Sequence, residues 1–346
     1  MKSCNLLFIS TVLFTVLIFG CTRKPSSDCE GCIISVNPQQ TERLEPVDCC
    51  HKFELLDAGI PIQLGYITNA WIQDQKWIII SNTGAYIFDL NGNLLSDLSR
   101  KGRASNEYIT LWDAWPENDE ICLFDSNGQK ILRYDINGDF LSSTPIQRPH
   151  GEAFQYLYPL SSNSYIGKLS YQGKPTPELA LYNRQYEFIR LIGNSHFNTG
   201  MRFNYPFSKY LNQILYCDSI HNKIYSIDTA GTVRLRYIID FETKNLPQDI
   251  DDEKLVETIL RLKDYQRYAL LPANVYEDDI RLIFTFIYNK KKNIGVYDKP
   301  TGNVRCLSIE SPDDFVLSGI ASLSSCKLAL FLSNEHSTQI RTINVD

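Results

Sequence analysis

The chain has 346 residues, 43% of them hydrophobic and 12% aromatic, enough to bury a large core and too apolar for a disordered polypeptide. With 34 Lys and Arg against 40 Asp and Glu the formal charge is -6. This balance excludes nucleic acid as a partner, because phosphate binding needs a concentrated basic surface.

The first element is an export signal. Lys2 precedes a largely apolar run from Leu6 to Phe19, shorter than an ordinary membrane span. The run ends Leu17-Ile18-Phe19-Gly20-Cys21, which resembles a bacterial lipobox. That resemblance implies removal of residues 1–20 and acylation (palmitate included) of Cys21, leaving a mature chain anchored by lipid. Residues 21–48 are rich in Pro, Ser and charge and read as a tether. Within it Cys29 and Cys32 form a C-x-x-C, with Cys49-Cys50 farther on. Adjacent cysteines are the wrong second half for a zinc ribbon; disulfides, unpaired thiols and metal all remain open. Cys122, Cys217, Cys306 and Cys326 fall inside apolar strand patterns, where cysteine acts as a small core residue.

From residue 49 onward the chain repeats itself, most legibly in NDEICLFDSNGQKILRYDINGDFL, residues 118–141. Two runs, ICLF and KILRY, carry the period-two pattern of half-buried strands. Asn127-Gly128 and Asn137-Gly138 supply the positive φ of tight turns. The residue opening the last turn of each unit recurs as Asp89, Asp135, Asn183, Asp228, Asp298 and Asn344, at spacings of 46, 48, 45, 70 and 46. A fixed period of that size marks propeller blades, four-stranded sheets that bury their faces only against neighbours. Lys290-Lys291-Lys292, the one basic run, falls in an expected turn as a solvated cluster.

The 70-residue gap holds an expected helix between Leu246 and Leu271, with Leu255, Ile259, Leu262 and Gln266 at helical spacing. Asp249, Asp251, Asp252 and Glu253 suit its start and Pro272 its end. The expected architecture is therefore all-β: a six-bladed propeller over residues 49–346 with a short helical insertion between blades four and five. The sixth unit lacks an outer strand, which either Lys52–Leu56 or Ile33–Val36 would supply by joining the two ends of the chain.

The units CLFDSNGQKILRYDINGDFL and YCDSIHNKIYSIDTAGTV resemble NHL repeats. The first unit, through Gly102, Glu107 and Tyr108, resembles the opening blade of the six-bladed (NHL/TolB-like) propeller lipoproteins of Bacteroidota, while Ala104, Ser105 and Asn106 depart from that family's Gly-Pro-Gly centre. The resemblance implies the fold and a lipid-anchored cell-envelope address at the outer membrane; the basic residues after Cys21, Arg23 and Lys24, in place of an acidic surface-export signal, favour its periplasmic face. It assigns no reaction.

In a propeller the loops entering each blade usually form the binding face. Here they pool Arg103, Glu107, Tyr108, Arg148, His150, Arg202, Tyr205 and, after the expected helix, Tyr276. Arginine and aromatic groups converging on a mouth suit a carbohydrate, peptide, carboxylate or partner protein through stacking and bidentate hydrogen bonds. The competing structural role is packing between blades, for Tyr108, Trp112 and Trp115 in particular. Some six-bladed NHL-like relatives hold Ca²⁺ or Zn²⁺ and act as hydrolases or lyases. The five histidines show no pair at ligand spacing, Asp125 and Asp218 sit where turn caps belong, and no catalytic elbow, phosphate loop or H-E-x-x-H is present. The expectation is thus a non-catalytic binding propeller without a cofactor, with a metal-dependent hydrolase or lyase as the alternative.

Overall fold

The computed structural model describes residues 31–44, 49–147, 154–169, 176–196, 206–246, 265–309, 314–324 and 327–345. Among them no helix is long and apolar enough to cross a membrane. Six four-stranded antiparallel meanders follow one another. The innermost strands are Ile67–Gln73, Leu111–Glu117, Phe154–Ser161, Phe207–Tyr210, Leu270–Glu277 and Val316–Ser324. The outermost strands of the first five are Leu94–Asp97, Phe140–Pro145, Phe188–His196, Val233–Asp240 and Val304–Ile309.

Closure follows from where the core sits. Six separate apolar clusters each join two consecutive blades, and one of them joins the last blade to the first through Phe331, Ile340, Trp77 and Phe88. The missing strand of blade six is Cys49–Glu54, antiparallel to Thr338–Asn344 with Ile340 opposite Phe53 and Arg341 opposite Lys52. Of the two expected closures the first is the one adopted. Leu55 follows it into the core, its N–H donating to the Thr338 carbonyl at 2.9 Å.

The other expected closure, Ile33–Val36, has a different role. Cys32–Ser35 runs parallel to Val233–Asp240 as a fifth strand of blade four, and Thr41–Leu44 runs parallel to Val304–Ile309 as a fifth strand of blade five. Part of the stretch read as a tether is therefore sheet. Ile34 and Val36 bury their side chains between blades four and five, which a solvated tether would leave wet. The start of the chain thus edges three consecutive blades, covering backbone groups that would otherwise be open to pairing.

Local chemistry explains the repeat residue. Asp89, Asp135, Asn183 and Asp228 each accept, through one side-chain oxygen, the backbone N–H groups two and four residues on, and Asp298 accepts that of Thr301. The Asp139 N–H so held keeps the Asp135 carboxyl below its ordinary range. Gly138 takes the expected positive φ, 93°. Gly128 does not; Gln129 does, at 49°. Glycine is required at 128 for space instead, since a Cβ there would lie 1.9 Å from Asp125 Oδ2.

Three further expectations are corrected. Glu120–Asp125 is buried over nearly its whole length rather than on one face, because each second strand is covered by blades on both sides. The helix expected over Leu246–Leu271 is not borne out: most of it lies outside the described residues, Tyr265–Arg267 makes only one 3-10 turn, and Leu270 already begins the inner strand of blade five. Tertiary pairing overrides the helical spacing at that end. Of the lysine triplet, Lys292 is not solvated. It lies over the Tyr66 ring, 5.3 Å from its centroid, and burial depresses its pKa to about 8.

Candidate functional site

A cavity of about 220 Å³ lies where the innermost strands of all six blades converge. Each blade contributes: Asn69 and Trp71, Trp115, Tyr158, Phe207 to Lys209, Asn274 to Tyr276, and Ile320 to Ser322. Each innermost strand presents its edge to the axis, so consecutive residues such as Phe207 to Lys209 and Asn274 to Tyr276 reach the lining. On blades two, five and six the lining residues fall in the later half of the inner strand, toward the first hairpin turn. The pooled entry loops were expected to form the site; the cavity lies toward the other end of these strands.

The lining combines flat rings with short polar groups. Tyr158 and Phe207 are stacked with centroids 6.1 Å apart and planes 27° from parallel. Burial, and then the charge of Asp113, push the Tyr158 phenol up to about 12, so it remains a neutral hydroxyl. Trp71 Nε1 donates to Gln73 Oε1 at 3.3 Å, and Asn69 Nδ2 donates to the Ala114 carbonyl of the next blade at 2.9 Å. Asn274 has φ of 48° at an irregular register of its strand, the only described non-glycine residue inside a strand with that backbone. Strained backbone of this kind persists where surrounding structure enforces it, commonly at ligand sites.

The sequence-derived candidates separate. Tyr276 lines the cavity. Arg103 is exposed on the loop between blades one and two, which contributes nothing to the lining. Glu107 accepts the Ala104 N–H at 2.9 Å and lies where a Cβ on Gly102 would fall, so it shapes its own loop. Tyr108 is only 1% exposed, packed between blades one and two, which removes it from any surface. Arg148, His150, Arg202, Tyr205 and Cys21 lie outside the described residues. Trp115 is fully buried, so the packing role weighed for it is the one it has.

The candidate metal ligands are engaged elsewhere. Asp125 accepts the N–H groups of Ile109, Thr110 and Gly128, and Asp218 accepts the His221 N–H and meets its Nδ1 at 2.6 Å. Both cap turns. Among the described residues no group of three His, Cys, Asp or Glu is placed to hold a metal.

Two ionic clusters, the first buried and the second half-buried, went unread in the sequence. Between blades four and five, Glu277 receives Arg236 Nε and Nη2 at 2.8 and 2.6 Å, Lys299 Nζ at 2.6 Å and the Tyr237 hydroxyl at 2.7 Å. Arg236 and Lys299 also lie over the Tyr210 ring, 4.9 and 4.6 Å from its centroid. Between blades two and three, Arg133 donates to Glu117, Glu120 and Tyr186. Each side chain in these clusters is committed to another, so both serve as interblade ties rather than as sites. Glu277 and Glu117 each end an inner strand, a position the sequence marks only once the blades are aligned.

Residues 63–333 match the family described as "Domain of unknown function (DUF4934)". Among solved structures the chain is similar to a candidate exported protein of Bacteroides fragilis, at TM-score 0.67 and 17% identity over 91% of this chain and 100% of that one. It is also similar to a member of the DUF4221 family from Bacteroides vulgatus, at TM-score 0.60 and 10% identity over 85% and 96% of the two chains. A protein of unknown function from Bacteroides thetaiotaomicron follows at TM-score 0.52 and 9% identity over 90% and 74%. At these identities the likeness concerns the fold alone. No curated protein matches the chain in sequence.

Proposed function

The chain belongs to the DUF4934 family, and from that premise we propose that it is a non-catalytic binding propeller of the cell envelope that holds a small ligand in its central cavity. The observation that carries this reading is the cavity itself, which takes residues from every blade and sets Trp71, Tyr158, Phe207 and Tyr276 around one space. Largely preformed concave sites with aromatic walls and a few polar groups are the usual form of small-molecule sites. The envelope address is supported by the apolar N-terminal run and the lipobox-like Leu17 to Cys21, and acylation of Cys21 would anchor the protein to the outer membrane, with the periplasmic face preferred. A Cys21→Ser variant is expected to leave the membrane fraction; continued retention there would count against the anchor.

The metal-dependent hydrolase or lyase alternative draws no support from Asp125 or Asp218, whose carboxylates are already engaged by turn amides and by His221. The binding reading is tested by a thermal-shift screen of monosaccharides, amino acids and single-ring acids and alcohols against the wild type, Trp71→Ala and Tyr276→Ala. At least one compound should raise the wild-type Tm, by mass action on the folded state, and lose that effect in both variants. If no compound stabilises the wild type, or stabilisation survives both changes, the cavity is not the site.

A further inference from the structure

We propose that the ligand of the central cavity is a ring-bearing monocarboxylate, a single five- or six-membered ring carrying one carboxylate; this rests on the cavity being the binding site. Three features point to that chemistry. Charge comes first. Lys209, on the short inner strand of blade four, is the only charged residue lining the cavity. It is exposed, and among the described residues its ammonium has no ion pair or hydrogen bond, its backbone pairing with Ile214. The lining includes no Asp or Glu to oppose an anion, so the single ammonium favours a single negative charge.

Shape comes second. Trp71, Tyr158 and Tyr276 put aromatic side chains in the lining, with Phe207 stacked against Tyr158, and aromatic walls attract either an aromatic ring or the C–H face of a pyranose. Size is third: about 220 Å³ exceeds the roughly 150 Å³ that accommodates benzene, leaving room for one ring and its substituents.

The ring can come from a sugar acid or from an aromatic acid, and isothermal titration of the full chain distinguishes them. The probes are glucuronate and 4-hydroxybenzoate, each with a neutral counterpart, glucose and 4-hydroxybenzamide. One acid should bind at least tenfold more tightly than its counterpart, and the difference should shrink in high salt. Lys209→Met should abolish that preference while leaving Tm unchanged, because Lys209 is exposed. If a neutral ring binds as tightly as its acid, with affinity lost in Trp71→Ala, the cavity reading stands and the carboxylate assignment fails. If an acid is preferred equally by wild type and Lys209→Met, the cation has been misassigned and the proposal is overturned. If none of the four probes binds, the carboxylate class is overturned by these probes, and the broader thermal-shift screen decides the cavity reading separately.

Discussion

Replacing Glu277 with Gln should remove about 3–5 kcal/mol of stability, the usual consequence of leaving a buried charge without its counter-charge. The Glu277 side chain is completely buried, and those of Arg236 and Lys299 are 7% and 11% exposed. In the native protein one carboxylate serves two cations at 2.6 Å each and accepts the Tyr237 hydroxyl at 2.7 Å. A glutamine retains the shape and an accepting oxygen but carries no charge, and its amide hydrogens point at donors. Two like charges then share a dry site with neutral partners only, the Tyr210 face for both and the Asp278 carbonyl for Lys299, the ring being worth about 0.5–2 kcal/mol per cation. Against a total of about 5–15 kcal/mol for an ordinary domain, the expected loss is a large fraction. Urea unfolding followed by tryptophan fluorescence measures it as a shift in midpoint at unchanged slope. A loss below about 1 kcal/mol would refute the reasoning, since it would mean that water already solvates the cluster. The triple change Arg236→Met, Glu277→Leu and Lys299→Met should recover most of the stability, because apolar groups of similar volume often replace a buried ion group at little cost. If the triple variant is as unstable as Glu277→Gln, packing and not charge holds blades four and five together.

Gly92→Ala tests ring closure. Gly92 has φ of 90°, and a Cβ there would lie 2.4 Å from the Glu54 carbonyl oxygen on the closing strand. A loss of about 1–3 kcal/mol is expected, read in the same urea experiment; no change would mean the closing strand gives way freely. Tyr108→Ala should cost about 3–5 kcal/mol as a buried aromatic, whereas Arg103→Ala on the exposed loop should fall within about 0.5 kcal/mol of wild type. Lys292 has a folded pKa of about 8 against 10.5 for the free side chain. Between those values the unfolded chain binds more proton, so this residue makes stability rise with pH from about 8 to 10.5. Lys292→Met should flatten that rise in denaturation midpoints taken across the window, and an unchanged slope would refute the burial. Desolvation raises the thiols of Cys217 and Cys306 to about 12 and about 11, so peptide mapping after iodoacetamide at pH 8 should find both unmodified in native protein and modified in urea. Modification in the native protein would show that the strands open.

Much of the fold was legible because its signals are local. The 46-residue period needs only a turn-opening Asp or Asn, whose side chain reaches backbone amides two and four residues away, as at Asp89 and Asp135. The absent sixth outer strand could be noticed by comparing units, and its replacement lay among the few residues before the first unit. At the end of the helix expected after Leu246, Leu270 pairs with Ile287 of its own blade, a partner that outweighs helical spacing there.

The site was mostly illegible, and the reason is geometric. Which residue of each inner strand meets the axis depends on strand register and blade tilt, which arise only when six sheets close against one another. Trp71, Tyr158, Lys209, Asn274 and Tyr276 are scattered over some 200 residues and share no motif. Tyr108 illustrates the opposite error: it belongs to a conspicuous segment, yet packing draws it into the core between blades one and two. The sequence alone determined the repeat and the number of blades, since each is written in neighbouring residues. Only the tertiary structure decided which strand closes the ring, that Ile34 and Val36 join its core, and which side chains face the central cavity, because those outcomes depend on contacts between residues far apart in the chain.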